Sequence, residues 1–385
     1  MANKLTLKAD HVGSFLRTEP IKQARKDYTD GKIDKNSLKQ VEDKEIEKLV
    51  QKQIEVGLKS ITDGEFRRSW WHLDFLSGLE GVEQFETEYV SNFKGAKTRN
   101  NAIKVVNKVD FDNHYMVEHF TFLKEAVDKY GDGSQVAKFA IPSPNMLFTR
   151  IQGDEYYNGN REQFYQDTVA AYQKAIQAFY DAGCRYLQLD DTSWIDFVSE
   201  ERIEAVVERL NMGVQDIINT RVNCLNDAIA KKPDDMIITM HICRGNFKST
   251  YITSGGYDHI SDAIFADLNV DGLFLEYDDK RSGDFEPLKS FKRDDKVVVL
   301  GLFTSKFPEL EDADMIKERI KEASGYIPLE NLALSPQCGF SSTEEGNILT
   351  EEEQWNKISH VINLSESVWV RYLLIKHRKS SISLL

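Results

Sequence analysis

The chain has 385 residues, of which 41% are hydrophobic and 11% aromatic, enough for a sizeable core. Its formal net charge of −14 and its pI of about 5.2 argue against nucleic acid or an anionic membrane surface as the main partner. The N-terminal residues lack the apolar core of a signal peptide, and no apolar run is long enough to span a membrane, so we expect a cytoplasmic globular protein.

Short apolar runs that end in polar or glycine residues alternate with longer amphipathic stretches along the chain. The pattern predicts eight strands, at about 7–14, 60–65, 138–144, 185–191, 236–243, 272–278, 296–305 and 332–340. It predicts helices at about 37–57, 116–130, 161–182, 199–231, 257–268, 311–323 and 351–377. Short β-type pieces interrupt the alternation at 84–115.

Strands that alternate with helices are typical of parallel sheets in α/β folds. Eight such units predict a closed (β/α)₈ TIM barrel, which typically needs about 250 residues. The excursion at 84–115 is then an insertion after the second strand. No linker rich in Gly, Ser or Pro divides the chain, so we expect residues 1–385 to form one domain. An open doubly wound sheet is the alternative, but no glycine-rich phosphate loop follows any predicted strand.

The functional site of such a barrel lies at the C-terminal ends of the strands. Seven of the eight predicted strands end in groups able to bind a metal or a polar ligand. In chain order these groups are His11 to Ser14, Asp63 to Glu65, Asp190-Asp191, His241 with Cys243, Glu276, Thr304 to Lys306, and Cys338-Gly339.

The stretch His241-Ile242-Cys243 indicates a metal site, because alternate residues of a strand face the same side. Cys338 ends another strand and adds a second sulfur, and Glu276 adds an oxygen. Three firm ligands and a replaceable fourth describe a catalytic zinc site. The alternative for the His-x-Cys pair alone is a core histidine packed beside a buried thiol. The other two cysteines, at 184 and 224, are expected to be inert core thiols.

Carboxylates at two further strand ends predict an ammonium site. Glu65 and the pair Asp190-Asp191 could hold the amino group of an amino acid, while the turn Val12-Gly13-Ser14 could receive its carboxylate on backbone amides and a hydroxyl. The alternative for each carboxylate is a helix N-cap or a salt bridge to a nearby arginine.

The ordered set HVGSF, DGEFRR, LQLDD, MHICRGN, FLEYDD and SPQCGF resembles the catalytic half of the cobalamin-independent methionine synthases, over about residues 10–345. The resemblance implies a (β/α)₈ barrel that binds zinc and homocysteine. It implies that the zinc ligands are His241, Cys243, Glu276 and Cys338. It implies that homocysteine is held by Ser14, Glu65 and Asp190.

The implied reaction moves a methyl group from 5-methyltetrahydrofolate, with one or several glutamates, to the thiol of homocysteine and forms methionine. A free thiol with a pKa near 8.5 is mostly protonated at neutral pH, and zinc coordination deprotonates it while leaving it reactive. Two alternatives keep the zinc chemistry: alkyl transfer to a different thiol, as in coenzyme M transferases, or a non-folate methyl donor. A third alternative is a non-enzymatic binding protein in which the zinc site is purely structural.

Three departures from the family concern the methyl donor. Full-length members carry an additional N-terminal barrel that helps to hold the folate tail, and this chain has one barrel. Where the family has a histidine suited to protonating the leaving group, this chain reads LFTSKFP, and Lys306 is the nearest titratable group. Its alternative is a solvent-facing loop lysine. The stretch KFAIPSPNMLF lacks the family's tryptophan, so Trp70, Trp71 or Trp194 is a candidate for the aromatic face.

One basic stretch between residues 93 and 109 contains no acidic residue. It could receive an anionic tail, or its lysines could protect an exposed β-edge from pairing. The positive residues are Lys94, Lys97, Arg99, Lys104 and Lys108. The sequence leaves open whether the protein forms a homo-oligomer.

Overall fold

The computed structural model describes residues 7–88, 92–93, 96–98 and 100–382. Its strands are β1 (Ser60–Ile61), β2 (Glu80–Glu86), β3 (Asn92–Phe93), β4 (Ala96–Lys97), β5 (Asn101–Asp110), β6 (Val136–Pro142), β7 (Ile151–Asp154), β8 (Tyr186–Asp190), β9 (Ile237–Ile242), β10 (Gly272–Glu276), β11 (Val297–Phe303) and β12 (Leu332–Pro336). Its α-helices are α1 (Glu19–Thr29), α2 (Lys35–Glu55), α3 (Leu73–Leu76), α4 (Met116–Tyr130), α5 (Pro144–Arg150), α6 (Arg161–Asp181), α7 (Glu200–Leu210), α8 (Val214–Ile229), α9 (Ala313–Ala323) and α10 (Glu351–Ile382). In this part of the chain no helix combines the length and the apolar character needed to cross a bilayer.

Seven strands form one parallel sheet in the order β1-β6-β8-β9-β10-β11-β12. The two outer strands of this sheet are joined through the segment 9–14. Ala9 makes a parallel bridge to Leu334 of β12, and Ser14 makes one to Gly64, just after β1. The sheet therefore curls into the predicted (β/α)₈ barrel. The segment predicted as the first strand takes the first strand's place, although single bridges rather than a continuous ladder hold it.

Apolar side chains explain why the strands lie inside the helices. All seven residues of β11, VVVLGLF, are buried, as expected for a parallel strand covered on both faces. A large apolar cluster joins strands and helices. A second, small cluster includes Val12, Tyr186 and Phe274, and Nζ of Lys138 lies over the rings of Tyr186 and Phe274.

A buried ion pair lies beside this small cluster. Nζ of Lys138 and Oδ1 of Asp10 are 3.2 Å apart, and both side chains are fully buried. Nζ also donates to the carbonyl of His11 at 2.5 Å. The hydroxyls of Ser60 and Tyr186 donate to the Asp10 carboxylate at 2.6 and 2.7 Å. The pair therefore fastens the closing segment to β1, β6 and β8.

The insertion after β1 forms a separate sheet in the order β2-β5-β7, which begins at Glu80. Lys104, on β5, pairs with Glu155 at 2.8 Å, and Lys108 pairs with Asp167 at 3.7 Å. Because β5 lies between β2 and β7 at Lys104, protection of a sheet edge is the wrong explanation for that lysine, whereas Lys108 lies beyond the part of β5 that pairs with β7. Of the other residues in the basic stretch, Lys94, Arg99 and the side chain of Lys97 lie outside what the structure describes.

The predicted helix over 199–231 is wrong, because the chain forms α7 and α8 instead. Asn211 adopts a left-handed conformation with φ of +49°, which ends α7, and Gly213 is the N-cap of α8. The helix predicted over 257–268 is present as one continuous helical segment, in which a 3₁₀ turn at Asp258–Ile260 leads through two α-helical residues into a π-helical turn at Ala263–Asp267. There the buried ammonium of Lys296 binds carbonyls of the second turn.

Candidate active site

Three of the four predicted metal ligands converge at the C-terminal end of the barrel. His241 lies on β9, Cys243 follows that strand, and Cys338 follows β12. Their ligand atoms all lie within 4.8 Å of one another, and all three residues are buried. One nitrogen and two sulfurs at this distance form a group that could hold a metal ion. We refer to these three residues as the His-Cys-Cys group.

Among the described residues, the group of candidate metal ligands does not include Glu276. Its Oε1 lies 2.5 Å from Nη1 of Arg281, and its Oε2 accepts a hydrogen bond from the backbone N–H of Arg244 at 2.8 Å. Burial opposes ionisation of Glu276, but the charges of Lys306, Arg281 and Arg244 outweigh it and hold its pKa below the usual range. Glu276 is therefore a buried carboxylate paired with arginine.

The two sulfurs of the group shift each other's pKa in opposite directions. The Cys243 thiol donates toward Cys338, which raises the pKa of Cys243 well above its usual range. The same hydrogen bond, together with His241 and Lys306, holds the pKa of Cys338 well below its usual range despite burial. The lowered pKa of Cys338 favours the thiolate, which is the form that metals require of cysteine.

Asp190 fixes the orientation of the His241 ring. Its Oδ1 lies 3.2 Å from Nδ1 of His241 and accepts a hydrogen bond from Nε2 of Gln188 at 2.8 Å. Burial disfavours the charged imidazole, but hydrogen bonds to Asp190 and Cys338 raise the pKa of His241 to about 10. A carboxylate on the second nitrogen of a metal-binding histidine is the usual way to set its direction.

A cavity opens beside the His-Cys-Cys group. Its walls include predicted site residues and aromatic side chains from the loops and the inserted sheet. The predicted residues are Val12, Ser14, Glu65, Asp190, His241, Cys243 and Cys338. The aromatic ones are Trp70, Trp71, His72, Phe93 and Phe247.

Glu65 is held in a strained position on the cavity wall. Its φ of +59° is left-handed, a conformation that costs a residue other than glycine about 1–3 kcal/mol and clusters at functional sites. Its Oε1 is 3.6 Å from Nη1 of Arg68, while Oε2 has no hydrogen-bond partner in the described part of the chain. Burial, helped by Asp190 and Asp63, raises the pKa of Glu65 to about 7 against the opposing charges of two arginines.

Ser14 joins two strand-end loops at the cavity. Its hydroxyl accepts a hydrogen bond from the backbone N–H of Ser341 at 3.3 Å, and its carbonyl accepts one from Phe340 at 2.9 Å. A Cβ added at Gly339 would collide with the Ser14 hydroxyl, so this close approach requires glycine. Gly13 has φ of +137° and shapes the turn. Its neighbours Val12 and Ser14 line the cavity, whereas Gly13 is not among the described lining residues.

Asp191 does not have the predicted substrate-binding position. It is fully buried, and it is not among the described residues that line the cavity. Its carboxylate accepts hydrogen bonds from the hydroxyls of Ser143 and Ser193, the backbone N–H of Ser193 and the amide of Asn145. Asp191 therefore ties together the loops that follow β6 and β8, and the expectation that it contacts substrate is corrected.

Lys306 is only 2% exposed, so the alternative of a solvent-facing loop lysine is wrong. Within the ranges that the structure describes, its Nζ makes no hydrogen bond. Its positive charge nevertheless lowers the pKa of both Cys338 and Glu276. Lys306 is therefore a buried cation facing the anionic side of the His-Cys-Cys group.

Sequence reasoning missed His72 and Asn246. His72 is 5% exposed, and its Nδ1 lacks a hydrogen-bond partner among the described residues; its ring contacts Trp71 at a centroid distance of 4.6 Å. Asn246 donates to the carbonyl of Gly339 at 2.7 Å, and its Oδ1 is likewise unpaired in the described ranges. Their positions beside DGEFRR and within MHICRGN were the only signal. Trp194 is fully buried elsewhere, which leaves Trp70 and Trp71 as the tryptophans of the described cavity lining.

Comparisons with known proteins agree with this geometry. The family model "Cobalamin-independent synthase, Catalytic domain" matches residues 7–354. The chain is 51% identical over 368 residues to the uncharacterized protein YxjG of Bacillus subtilis, covering 95% of this chain and 96% of that protein. It is 22% identical over 329 residues to a methionine synthase of Pyrococcus abyssi, covering 86% and 85%.

Among solved structures, a candidate vitamin-B12-independent methionine synthase from Listeria monocytogenes is 47% identical, with a TM-score of 0.77 and coverage of 95% of this chain and 99% of that one. The chain therefore belongs to the family of cobalamin-independent synthase catalytic domains.

Proposed function

We propose that this protein is a zinc-dependent methyltransferase that moves a methyl group from 5-methyltetrahydrofolate, with one or several glutamates, to the thiol of homocysteine and forms methionine. The observation that carries the proposal is the His-Cys-Cys group at the wall of a cavity that is also lined by Glu65, whose buried Oε2 has no hydrogen-bond partner among the described residues. A nitrogen and two sulfurs suit zinc, and a site with three protein ligands retains a position for substrate. Membership of the synthase family supports the same reaction.

Zinc bound at this group would hold the substrate sulfur as a reactive thiolate at neutral pH. His241, Cys243 and Cys338 would be its ligands, and Glu276 a fourth available from β10. Asp190 keeps the imidazole of His241 directed at the group through the hydrogen bond described above. Lys306 stabilises negative charge on Cys338 and Glu276, and we assign it the proton that the leaving nitrogen of the donor must gain.

The polar wall of the cavity suits the amino acid part of homocysteine. Oε2 of Glu65 and Oδ1 of Asn246 are buried acceptors that have no partner among the described residues, and such groups are costly unless a ligand satisfies them. An ammonium group between them and Asp190 would supply the missing donors. The turn at Val12, Gly13 and Ser14 would receive the carboxylate.

The aromatic wall suits a flat methyl donor. Trp70 and Phe247 are stacked with an interplanar angle of 16° and centroids 6.3 Å apart, and the His72 ring meets Trp70 edge-on. Aromatic surfaces of this kind bind planar rings by stacking.

As parts of the same proposal, residues 1–385 form a single catalytic domain that works in the cytoplasm on small molecules, without nucleic acid or membrane.

The direct test is a methyl-transfer assay with homocysteine and a panel of donors, combined with metal analysis of protein purified without chelator. We expect about one zinc per chain and methionine formation from mono- or polyglutamated methylfolate, lost on zinc removal and restored by zinc. Methylcobalamin and S-methylmethionine test a non-folate donor. Full activity in metal-free protein would contradict the proposal. Turnover of another thiol, with no rate on homocysteine, would favour the coenzyme M transferase-like alternative.

The raised pKa of Glu65 predicts how amino acid binding depends on pH. Glu65 must be ionised to hold an ammonium group, and its pKa in the free protein is about 7. Affinity for methionine, whose thioether does not titrate, should therefore rise up to about tenfold per pH unit below pH 7 and level off above it. Calorimetric titration between pH 5.5 and 8.5 measures this slope. The Glu65→Gln variant should bind methionine more weakly at pH 8, and its affinity should not change with pH. Equal slopes of affinity against pH for the two proteins would refute the assignment of Glu65 as the group that holds the ammonium.

A further inference from the structure

His72 lies in a short segment whose backbone is held firmly in place. The carboxylate of Asp74 accepts hydrogen bonds from the backbone N–H groups of Ser69 and Trp70 at 3.1 and 2.8 Å. The carbonyl of His72 accepts a hydrogen bond from the N–H of Leu76 at 3.0 Å, within the turn that forms α3. The backbone is therefore fixed on both sides of the imidazole.

The same segment is joined to the loop that carries Cys338. The backbone N–H of Trp71 donates to the carbonyl of Ser342 at 3.1 Å. The hydroxyl of Ser342 lies 3.7 Å from the sulfur of Cys338. Ser342 thus contacts both the His-Cys-Cys group and the segment that holds His72. The imidazole and the metal-binding group therefore belong to the wall of one cavity.

His72 has a hydrogen-bonding atom that the described part of the protein does not use. The residue is 5% exposed, and its Nδ1 is buried without a partner among the described residues. The nearby His114 shows the usual arrangement of a buried histidine. Its Nε2 lies 3.0 Å from the carbonyl of Phe75, and its Nδ1 accepts from the N–H of Met116 at 3.2 Å. Because an unpaired buried polar atom is costly, a ligand that supplies the missing partner would be stabilised.

The surroundings of His72 favour the neutral imidazole. Burial and the charge of Arg150, another residue of the cavity wall, hold the pKa of His72 well below its usual range. A neutral imidazole has one N–H donor and one nitrogen acceptor. It therefore suits a ligand edge that carries N–H and carbonyl groups.

The aromatic neighbours of His72 place it beside the surface that suits a flat ligand. Its ring centroid lies 4.6 Å from that of Trp71 and 5.7 Å from that of Trp70. Trp70 is stacked in turn with Phe247, which follows β9. A flat ring that covers these side chains turns its edge toward the polar groups around them. The reduced pterin ring of a methylfolate carries amino, ring N–H and carbonyl groups along such an edge.

We propose that His72 is a donor-binding residue, whose ring forms a hydrogen bond to the polar edge of the planar methyl donor. This inference rests on the proposed function, because it requires a methyl donor on the aromatic side of the cavity. His72 takes no part in binding the amino acid, which is assigned above to other residues of the wall. The imidazole therefore affects the affinity for the donor and leaves the affinity for homocysteine unchanged.

The variant His72→Phe tests the inference, because phenylalanine keeps a ring beside Trp71 and removes both nitrogens. Calorimetry with 5-methyltetrahydrofolate and zinc-loaded protein, without homocysteine, measures donor binding while no methyl transfer consumes the donor. Loss of one hydrogen bond should weaken this binding about fivefold to tenfold. In the complete assay the KM for the donor should rise by a similar factor, with kcat and the KM for homocysteine changed by less than about twofold.

Two further variants separate the hydrogen bond from a general disturbance of the cavity. His72→Asn restores a hydrogen-bonding atom near the position of Nδ1 without the ring, and its donor affinity should lie between those of wild type and His72→Phe. His119→Phe is the matched control. The Nδ1 of His119 also lacks a partner in the described ranges, but this residue is not among those described as lining the cavity. Its replacement should leave donor affinity at the wild-type value, and zinc content and methionine affinity report the fold of each variant.

Equal donor affinity in wild type and His72→Phe would overturn the inference, as would an equal rise of the KM for donor and homocysteine. Failure of the proposed function gives a different pattern. If methylfolate binding depends on His72 but homocysteine yields no methionine, the proposed reaction is wrong and the role of His72 stands. If the wild type binds no methylfolate, the same comparison with methylcobalamin decides, and a wild-type protein that binds neither donor overturns both proposals.

Discussion

Replacing Cys338 by serine should remove both the bound metal and methyl transfer. Cys338 supplies one of the three converging ligand atoms, and its surroundings lower the pKa of its thiol. A serine hydroxyl stays protonated at neutral pH and is a poor zinc ligand. If about 12 kcal/mol of zinc binding free energy is shared among four ligands, the loss is on the order of 3 kcal/mol, about a hundredfold in metal affinity. Activity should fall at least as far, since the substrate thiol loses the ion that activates it.

Metal analysis after gel filtration and a homocysteine methylation assay measure the two effects. Cys224→Ala is the matched control, because this thiol is also buried, at 1% exposure, but lies on α8. It should retain about one zinc per chain and wild-type turnover. A Cys338→Ser protein that binds zinc stoichiometrically and turns over at the wild-type rate would refute the assignment of Cys338 as a ligand.

Replacing Lys138 by methionine should cause the largest loss of stability. Methionine fits the apolar surroundings, but the change leaves the fully buried Asp10 without its countercharge and the carbonyl of His11 without a donor. Breaking a buried ion pair from one side typically costs about 3–5 kcal/mol. We therefore expect a decrease of that size in the free energy of unfolding, measured by urea titration of the metal-free protein.

The double variant Asp10→Asn/Lys138→Met provides the internal check. Removing both charges avoids an isolated buried ion, so most of the lost stability should return. Lys124→Met is the exposed control: this lysine pairs with Asp128 on one helix at 36% exposure and should change stability by less than about 0.5 kcal/mol. Equal destabilisation by the single and double variants would show that volume, rather than charge, governs this position.

The sequence predicts the barrel and most of the metal group because both depend on local patterns. A run such as VVVLGLF in β11 is typical of a strand covered on both faces, wherever its neighbours lie. His241 and Cys243 share a side because a strand alternates. Cys338 joins them because all parallel strands of a barrel end at the same rim. These inferences need no knowledge of individual side-chain contacts.

The errors arise where one side chain chooses among several partners. Asp190 and Asp191 are adjacent in sequence, yet one lines the cavity and the other is fully used by Ser143, Asn145 and Ser193. No periodicity distinguishes them, because both follow the same strand. The ion pair of Glu276 with Arg281 likewise depends on the path of an irregular loop. The break at Asn211 had a local signal, an asparagine followed closely by glycine, which the apolar pattern of the flanking helices concealed.

The bridges that close the barrel also determine when the site can form during synthesis. Ala9 pairs with Leu334, and Ser14 accepts a hydrogen bond from Ser341, so the first strand position is filled by joining the two ends of the barrel. A ribosome that adds about 5–20 residues per second needs on the order of 15–65 s to make the intervening chain. Throughout that time the N-terminal segment has no β12 to pair with, and Cys338 has not been made. Assembly of the His-Cys-Cys group and closure of the barrel are therefore nearly simultaneous, late events in the synthesis of each chain.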